Sequence, residues 1–374
     1  MAEEFETVSA TTLALLQQFQ ATLSSPLAAA QSSPTRPEDV PPALPLLADS
    51  SATLKAQVTK LSLLALNSPF THSAVNNVLR ACNDSVLPSV VTAALLVTPT
   101  GYTKAFHLEI LHLAKTALLE FATLIQEVNN IAEHKQQDKK ADPKKKEAEV
   151  SGAEKNAVTL AVGRVWDACD AVNEIAQKGV VGFVMRRVEQ WRDLVRDAVE
   201  ELEDWDPEED GDELFDDLMD NDEDAEADDD SDDEEDSAAL HEQKKSTLRF
   251  LKPIAQVYPA IINYRLKNIG DAPLSGADGV VKLESLMLNL QGIPDQVDEA
   301  AGSLYENNLK KSIKHLQQTQ KHATQAVTLV TLPWKGNQSA DDDQQPKDKF
   351  TVWSKTWLKV MEEVGKSIDA TTTE

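Results

Sequence analysis

The stretch FHLEILHLAKTALLEFATLIQEVNNI, Phe106 to Ile131, decides the fold. Phe106, Ile110, Leu113, Ala117, Phe121, Leu124, Val128 and Ile131 recur at steps of three and four. That spacing puts all eight on one side of an α-helix, which turns once every 3.6 residues. The opposite side reads as polar. Such a helix buries one stripe against its neighbours and leaves the rest in water.

Working outward, the same period covers most of the chain. Upstream, Leu13, Leu16, Phe19 and Leu23 mark a first helix. A second opens at Ser50 or Ser51, both good capping residues, and carries Leu54, Val58, Leu61 and Ala65. Another covers roughly 71–97 and is kinked or broken near Pro88. Downstream, Val158, Val162, Val165, Cys169, Val172 and Ile175 form a stripe that Gly179 closes. Gly182 helps open the next helix, with Val188, Trp191, Val195, Ala198 and Leu202. Trp191 lies on that stripe, whereas Trp166 flanks its own. Later come Leu251, Ile254, Tyr258, Ile261 and Leu266, then VVKLESLMLNL. One long helix from about Asp295 carries Val297, Ala301, Leu304, Ile313, Leu316, Ala323, Val327 and Val330. A last helix carries Val352, Trp357, Val360 and Val364. Val/Ile alternation between tight-turn dipeptides is missing, so the fold class is all-α.

Three segments interrupt the pattern. Residues 25–48 hold six prolines and read as a linker. Residues 135–150 form a lysine-rich loop. Residues 206–240 read as a disordered acidic tract, because like charges repel and few apolar groups offset the ordering entropy. The expected organisation is an N-terminal bundle over 1–205, the tract, and a C-terminal helical region over 241–374 packing on or beside the first bundle. The formal net charge of −27 is confined to one place. Asp197 to Gln243 holds 27 of the 63 acidic residues and neither Lys nor Arg, leaving 36 acids against 36 bases elsewhere. Direct nucleic-acid binding needs clustered cations and is not expected.

The two cysteines, Cys82 and Cys169, sit in apolar helical runs and read as reduced core thiols. The N-terminus is acidic and lacks the features of a signal peptide. No apolar run reaches the roughly 18 residues that a membrane span needs. The expectation is a soluble intracellular protein without a membrane partner. Asn83-Asp84-Ser85 and Asn337-Gln338-Ser339 match the glycosylation pattern by chance.

Chemistry is hard to place on this sequence. His72, His107, His112, His134, His241, His315 and His322 form no HExxH, and CxxC does not occur. They read as polar positions on exposed helix faces. Phosphate-cradling glycine loops and a GxSxG elbow are missing. Carboxylates in a solvated run have no reason for raised pKa values and make poor general acids. Asp206 to Asp212 imitates a calcium loop only loosely. We expect no enzyme, no metal and no cofactor.

Three features carry other signals. Ser231 lies within DDDSDDEED, the pattern chosen by an acidophilic kinase such as casein kinase II. The alternative is an unmodified solvated run. Leu214, Phe215, Leu218 and Met219 form an apolar island in the tract, suited either to a partner's groove or to folding back on this chain. Lys139, Lys140, Lys144, Lys145 and Lys146 read as solvated linker lysines or as a nuclear import signal.

The layout resembles the cyclin-D-binding, GCIP-like family. The resemblance is carried by VWDACDAVNEI (Val165 to Ile175) and GVVGFVMRRVEQWRDLVRDAVEELEDW (Gly179 to Trp205). LLVTPTGYTKAFHLEILHLAKTALLEFATLI (Leu95 to Ile125) and IPDQVDEAAGSLY (Ile293 to Tyr305) extend it. The Pro-rich linker, the lysine stretch and the long acidic tract depart from the family pattern, as in a divergent, fungal-like member. The resemblance implies antiparallel helix bundles like those of vinculin and α-catenin. It also implies a regulator of cell-cycle progression or transcription in nucleus and cytoplasm, with cyclin-like or helix-loop-helix partners. Two other readings stand beside it: an acidic chaperone for basic proteins such as histones, acting through the tract, and a cytoskeletal adaptor.

Overall fold

The computed structural model describes residues 2–25, 42–141, 149–207, 231–269, 277–332, 334 and 348–370. Among the described residues every regular element is helical and there is no strand. The chain divides into two compact units, Met1–Phe183 and Val184–Glu374.

The first unit holds α1 (Ala2–Ser24), α2 (Ala43–Leu66), α3 (His72–Ala81), α4 (Leu87–Leu96), α5 (Lys104–Ala141) and the first part of α6 (Gly152–Asp204). Seven of the eight stripe positions on α5 are buried, with Phe106, Phe121 and Leu124 fully enclosed, while Leu113 is half-buried and Ala114 and Leu118 are buried beside them. α5 and α6 run antiparallel, since Arg164 meets Glu120 at 3.0 Å and Glu154 meets His134 at 2.8 Å. α2 is also antiparallel to α6: Leu44 lies beside Gly179, whereas Ser51, further along α2, donates to the carbonyl of Cys169. α1 packs on α3 and α5.

Two local readings change. α2 starts at Ala43, not at Ser50 or Ser51, and both serines are buried in mid-helix. Pro45 falls in its first turn, where no backbone donor is needed, so the expected linker 25–48 ends sooner. Near Pro88 the helix does not break. A π-turn, Cys82–Val86, joins α3 to α4 and absorbs the missing donor.

Gly179 divides α6 as its sequence predicts. Its φ of 63° and ψ of −172° belong to a region that only glycine adopts readily. A Cβ on Gly182 would come 2.7 Å from Lys178 Cβ, so the pair of glycines makes the bend. The boundary between units therefore falls at Phe183/Val184, not after Trp205. Each half of α6 contributes its stripe to its own unit.

In the second unit, Val184, Val188, Val195 and Leu202 of α6 are buried. Trp191 is only half-buried. Val188, Val195 and Leu202 recur every seven residues, and Trp191 lies about 60° from Val188 and about 40° from Val195. α7 (Ser231–Ala255) and α8 (Val257–Tyr264) follow, then α9 (Ala277–Tyr305), α10 (Leu309–Leu329) and α11 (Lys349–Ala370). Residues 231–240 were expected in the disordered tract but open α7, which Leu240, Gln243, Thr247, Phe250 and Leu251 anchor in the core.

The long helix expected from Asp295 is two helices. Asn307 has φ 52°, and the Asn308 side chain caps α10 by accepting from the Lys311 amide. α9 in turn continues through Pro294 from Ala277. α9 and α10 form an antiparallel hairpin, with Gln296 on His315 and Asn289 on His322. On α11 the buried stripe is Phe350, Trp357, Met361, Val364 and Ile368. Val352 and Val360 point outward, against the sequence reading. Trp357 Nε1 donates to the Pro253 carbonyl at 2.8 Å.

Candidate interaction surfaces

Clustered chemistry does not emerge among the described residues: no group of three His, Cys, Asp or Glu is placed to hold a metal ion. Burial pushes the Cys82 thiol up to about 12 and that of Cys169 to about 11, so neither is a ready nucleophile. Of the histidines expected on exposed faces, His112, His134 and His241 are exposed, His72, His315 and His322 are half-buried, and His107 is buried. It is 5 % exposed, and its Nδ1 bonds the Val97 carbonyl, closing the loop before α5. No described helix is long and apolar enough to cross a membrane.

What the first unit offers is apolar surface. The outer side of α5, expected to be polar, carries Leu108 at 53 % and Leu119 at 50 % exposure. They share a row with His112 and Lys115, spaced four, three and four residues apart. On α6, Leu160 is 62 % and Trp166 36 % exposed. The Glu120–Arg164 pair joins the two helices. On the other flank of α6, Lys55 lies 5.8 Å from the Trp166 ring centre while pairing with Asp170. Gly163 sits between Leu160 and Trp166, and a Cβ there would meet nothing within 4 Å. Packing gives no reason for a residue that weakens a helix by about 1 kcal/mol relative to Ala. The result is apolar surface on α5 and α6 interspersed with the exposed Arg164, Asp167 and Asp170.

In the second unit the polar focus is Arg265, which is structural. Its guanidinium donates to the carbonyls of Val330, Thr331 and Tyr264, pairs with Asp348 at 3.1 Å and lies over Phe350. Burial would raise the Asp348 pKa. The Thr351 amide, Arg265 and the Thr351 hydroxyl outweigh it and hold the carboxyl below its ordinary range. Lys282 lies over the Trp334 ring, and burial, with Arg265 nearby, lowers its pKa. The residues that form these clusters lie far apart in sequence, and no local motif announces them.

Of the sites read from sequence, Lys139 and Lys140 are exposed in the last turn of α5, where cations complement the helix dipole. Lys144, Lys145 and Lys146 lie outside the described residues, as do Leu214, Phe215, Leu218 and Met219. Ser231 is the first residue of α7, and its side chain also lies outside them. The apolar surface on α5 and α6 was missed. Its signal is the row Leu108 and Leu119, which interrupts the otherwise polar side of α5.

Residues 46–208 match the family model described as Grap2 and cyclin-D-interacting, N-terminal. The matched stretch takes in nearly all of α2 and everything from there through α6, the helices that carry the apolar surface. The chain matches no curated protein. The family match supports a GCIP-like assignment for this protein.

Proposed function

We propose that this GCIP-like chain is a non-enzymatic regulator that binds other proteins, acting on cell-cycle progression or transcription in nucleus and cytoplasm. The observation that carries the reading is the family match over α2–α6, together with the exposed Leu108, Leu119, Leu160 and Trp166 on those helices. Scattered single apolar residues need no explanation, but four large ones exposed among charged residues on two paired helices are the material of a partner site. By the name of the matched family, the first partners to test are D-type cyclins. Helix-loop-helix regulators follow from the resemblance.

The test is binding of a purified D-type cyclin and of a helix-loop-helix protein to the full chain and to Leu160→Asp. Leu160 is exposed, so circular dichroism of the variant should match the parent. A loss of affinity of tenfold or more is expected, equal to about 1.4 kcal/mol. Unchanged binding of both partners would remove this surface from the site.

A second reading is an acidic chaperone for basic proteins such as histones. It is favoured by the 27 acids between Asp197 and Gln243. Association would then run through the tract and weaken steeply with salt.

A further inference from the structure

α1 is an imperfect fit to the groove it fills. The row that it turns toward α3 is Glu4, Val8 and Thr12, four residues apart. Glu4 pairs with Arg80 at 2.8 Å, and Thr12 accepts from the Asn83 side chain at 2.9 Å. On α3 and the π-turn after it, the residues that meet α1 are His72, which stacks edge-on with Phe5, then Arg80 and Asn83. Asn76 lies among them on the same face of α3, one turn from His72 and one from Arg80. It is 2 % exposed, and neither its amide nitrogen nor its amide oxygen has a protein hydrogen-bond partner. The Asn83 amide oxygen is likewise unpaired. On the α1 row that faces α3, the residue between Glu4 and Thr12 is Val8, which has no hydrogen-bonding side chain to offer. Burying an amide without partners is unfavourable, and an apolar residue cannot relieve it.

The α5 side of the groove is unfilled too. A cleft of about 190 Å³ lies between α1 and α5, lined by Phe5, Glu6, Ser9, Asn129, Glu133 and Gln136. Two of the buried positions in the middle of α1 are hydroxyls, Ser9 and Thr12, so its seam contributes less apolar burial than the α5 stripe does. Finally, α1 lies outside the family match, which begins at residue 46.

We propose that the α3–α5 groove is a docking site for an amphipathic helix of a partner protein, and that α1 is its exchangeable placeholder. The preferred helix carries large apolar residues where α1 has Phe5 and Leu16, and an amide side chain where α1 has Val8. The amide pairs with Asn76. The sixteen residues between Ser25 and Pro42 keep a displaced α1 tethered at high local concentration, so the native chain binds the partner weakly until the seam is loosened. This goes beyond the reading above, since it concerns a different face and does not depend on which partner family is involved.

The probe is a fluorescent peptide of residues 2–24, with a second peptide carrying Val8→Gln and a third carrying Val8→Leu. Each is titrated by anisotropy into the full chain and into the full chain with Phe5→Ala and Leu16→Ala, changes that touch α1 and leave the groove intact. The expected result is at least tenfold tighter binding to the loosened chain, and about tenfold tighter binding of Val8→Gln than of Val8→Leu. Hydrogen exchange on the unaltered chain needs no variant to fold. It should show α1 amides about a hundredfold less protected than those of 106–131. Equal protection of α1 and α5 would overturn the exchangeable role. Equal binding of the Gln and Leu peptides would overturn the amide specificity. A concentration-dependent dimer that the peptide dissolves would make the occupant a second copy's α1, and overturn the partner.

Discussion

Arg265 shows how much a single residue can carry in a helical unit. Only 5 % of it is exposed, yet its donors reach three carbonyls and one carboxylate. Removing it takes a donor from the carbonyls of Tyr264, Val330 and Thr331 and leaves Asp348 with Thr351 alone. Arg265→Ala should therefore lower stability by about 3–5 kcal/mol, read by denaturant unfolding. Lys in its place cannot reproduce the planar fork and should recover less than half of the loss. Gly179 makes the opposite case, a residue that acts by having no side chain. At φ 63° and ψ −172°, Gly179→Ala should cost about 1–3 kcal/mol in a thermal or chemical melt. Trp191, half-buried beside its stripe, should cost less on change to Ala than the roughly 3–5 kcal/mol of a core aromatic. Gly179 was legible from the sequence because conformation is local. Arg265 was not, because its partners come from 65 and 83 residues away.

At the scale of elements, side chains cap the starts of α6 and α10, whereas α2 and α3 begin without a side-chain cap. Ser151 and Glu154 form a reciprocal box at the start of α6: the Ser151 amide donates to Glu154 at 2.8 Å, and the Glu154 amide to the Ser151 hydroxyl at 3.2 Å. Ser151→Ala should cost about 1 kcal/mol. The hydrogen bond from the Ser151 side chain, with help from His134, holds the Glu154 pKa near 2 against an ordinary 4.5. A carboxyl whose pKa is lowered on folding stabilises fully above its unfolded value. Its contribution should thus be constant above about pH 4.5 and decline as the pH falls toward 2, and Glu154→Gln should flatten that part of the stability profile. Stripes were read well on α5, where eight positions overdetermine the phase. They were misread on α11, where four positions allowed Val352 and Val360 to stand for a face that belongs to Phe350, Met361 and Ile368. The turn at Asn307–Asn308 was passed over because apolar spacing continued across it. Local signals for a break, two asparagines with one at φ 52°, outweigh periodicity there.

For the whole molecule, the all-α class followed from composition and period, and the division into units needed the fold. Candidate surfaces were least legible, since exposure of Leu119 or Leu160 depends on what the opposite faces pack against. The central proposal is that partners bind through the apolar surface of the α2–α6 helices, with the acidic tract as an accessory. Apolar burial tolerates salt, whereas attraction between exposed charges falls off over a Debye length of about 8 Å at physiological ionic strength. The most direct measurement is the affinity of a D-type cyclin for the full chain and for a chain lacking 206–230, each at low and high salt. We predict affinities within about threefold across all four conditions, and a loss of tenfold or more only with Leu160→Asp. Binding that collapses on deletion of the tract or at high salt, and ignores Leu160→Asp, would contradict it.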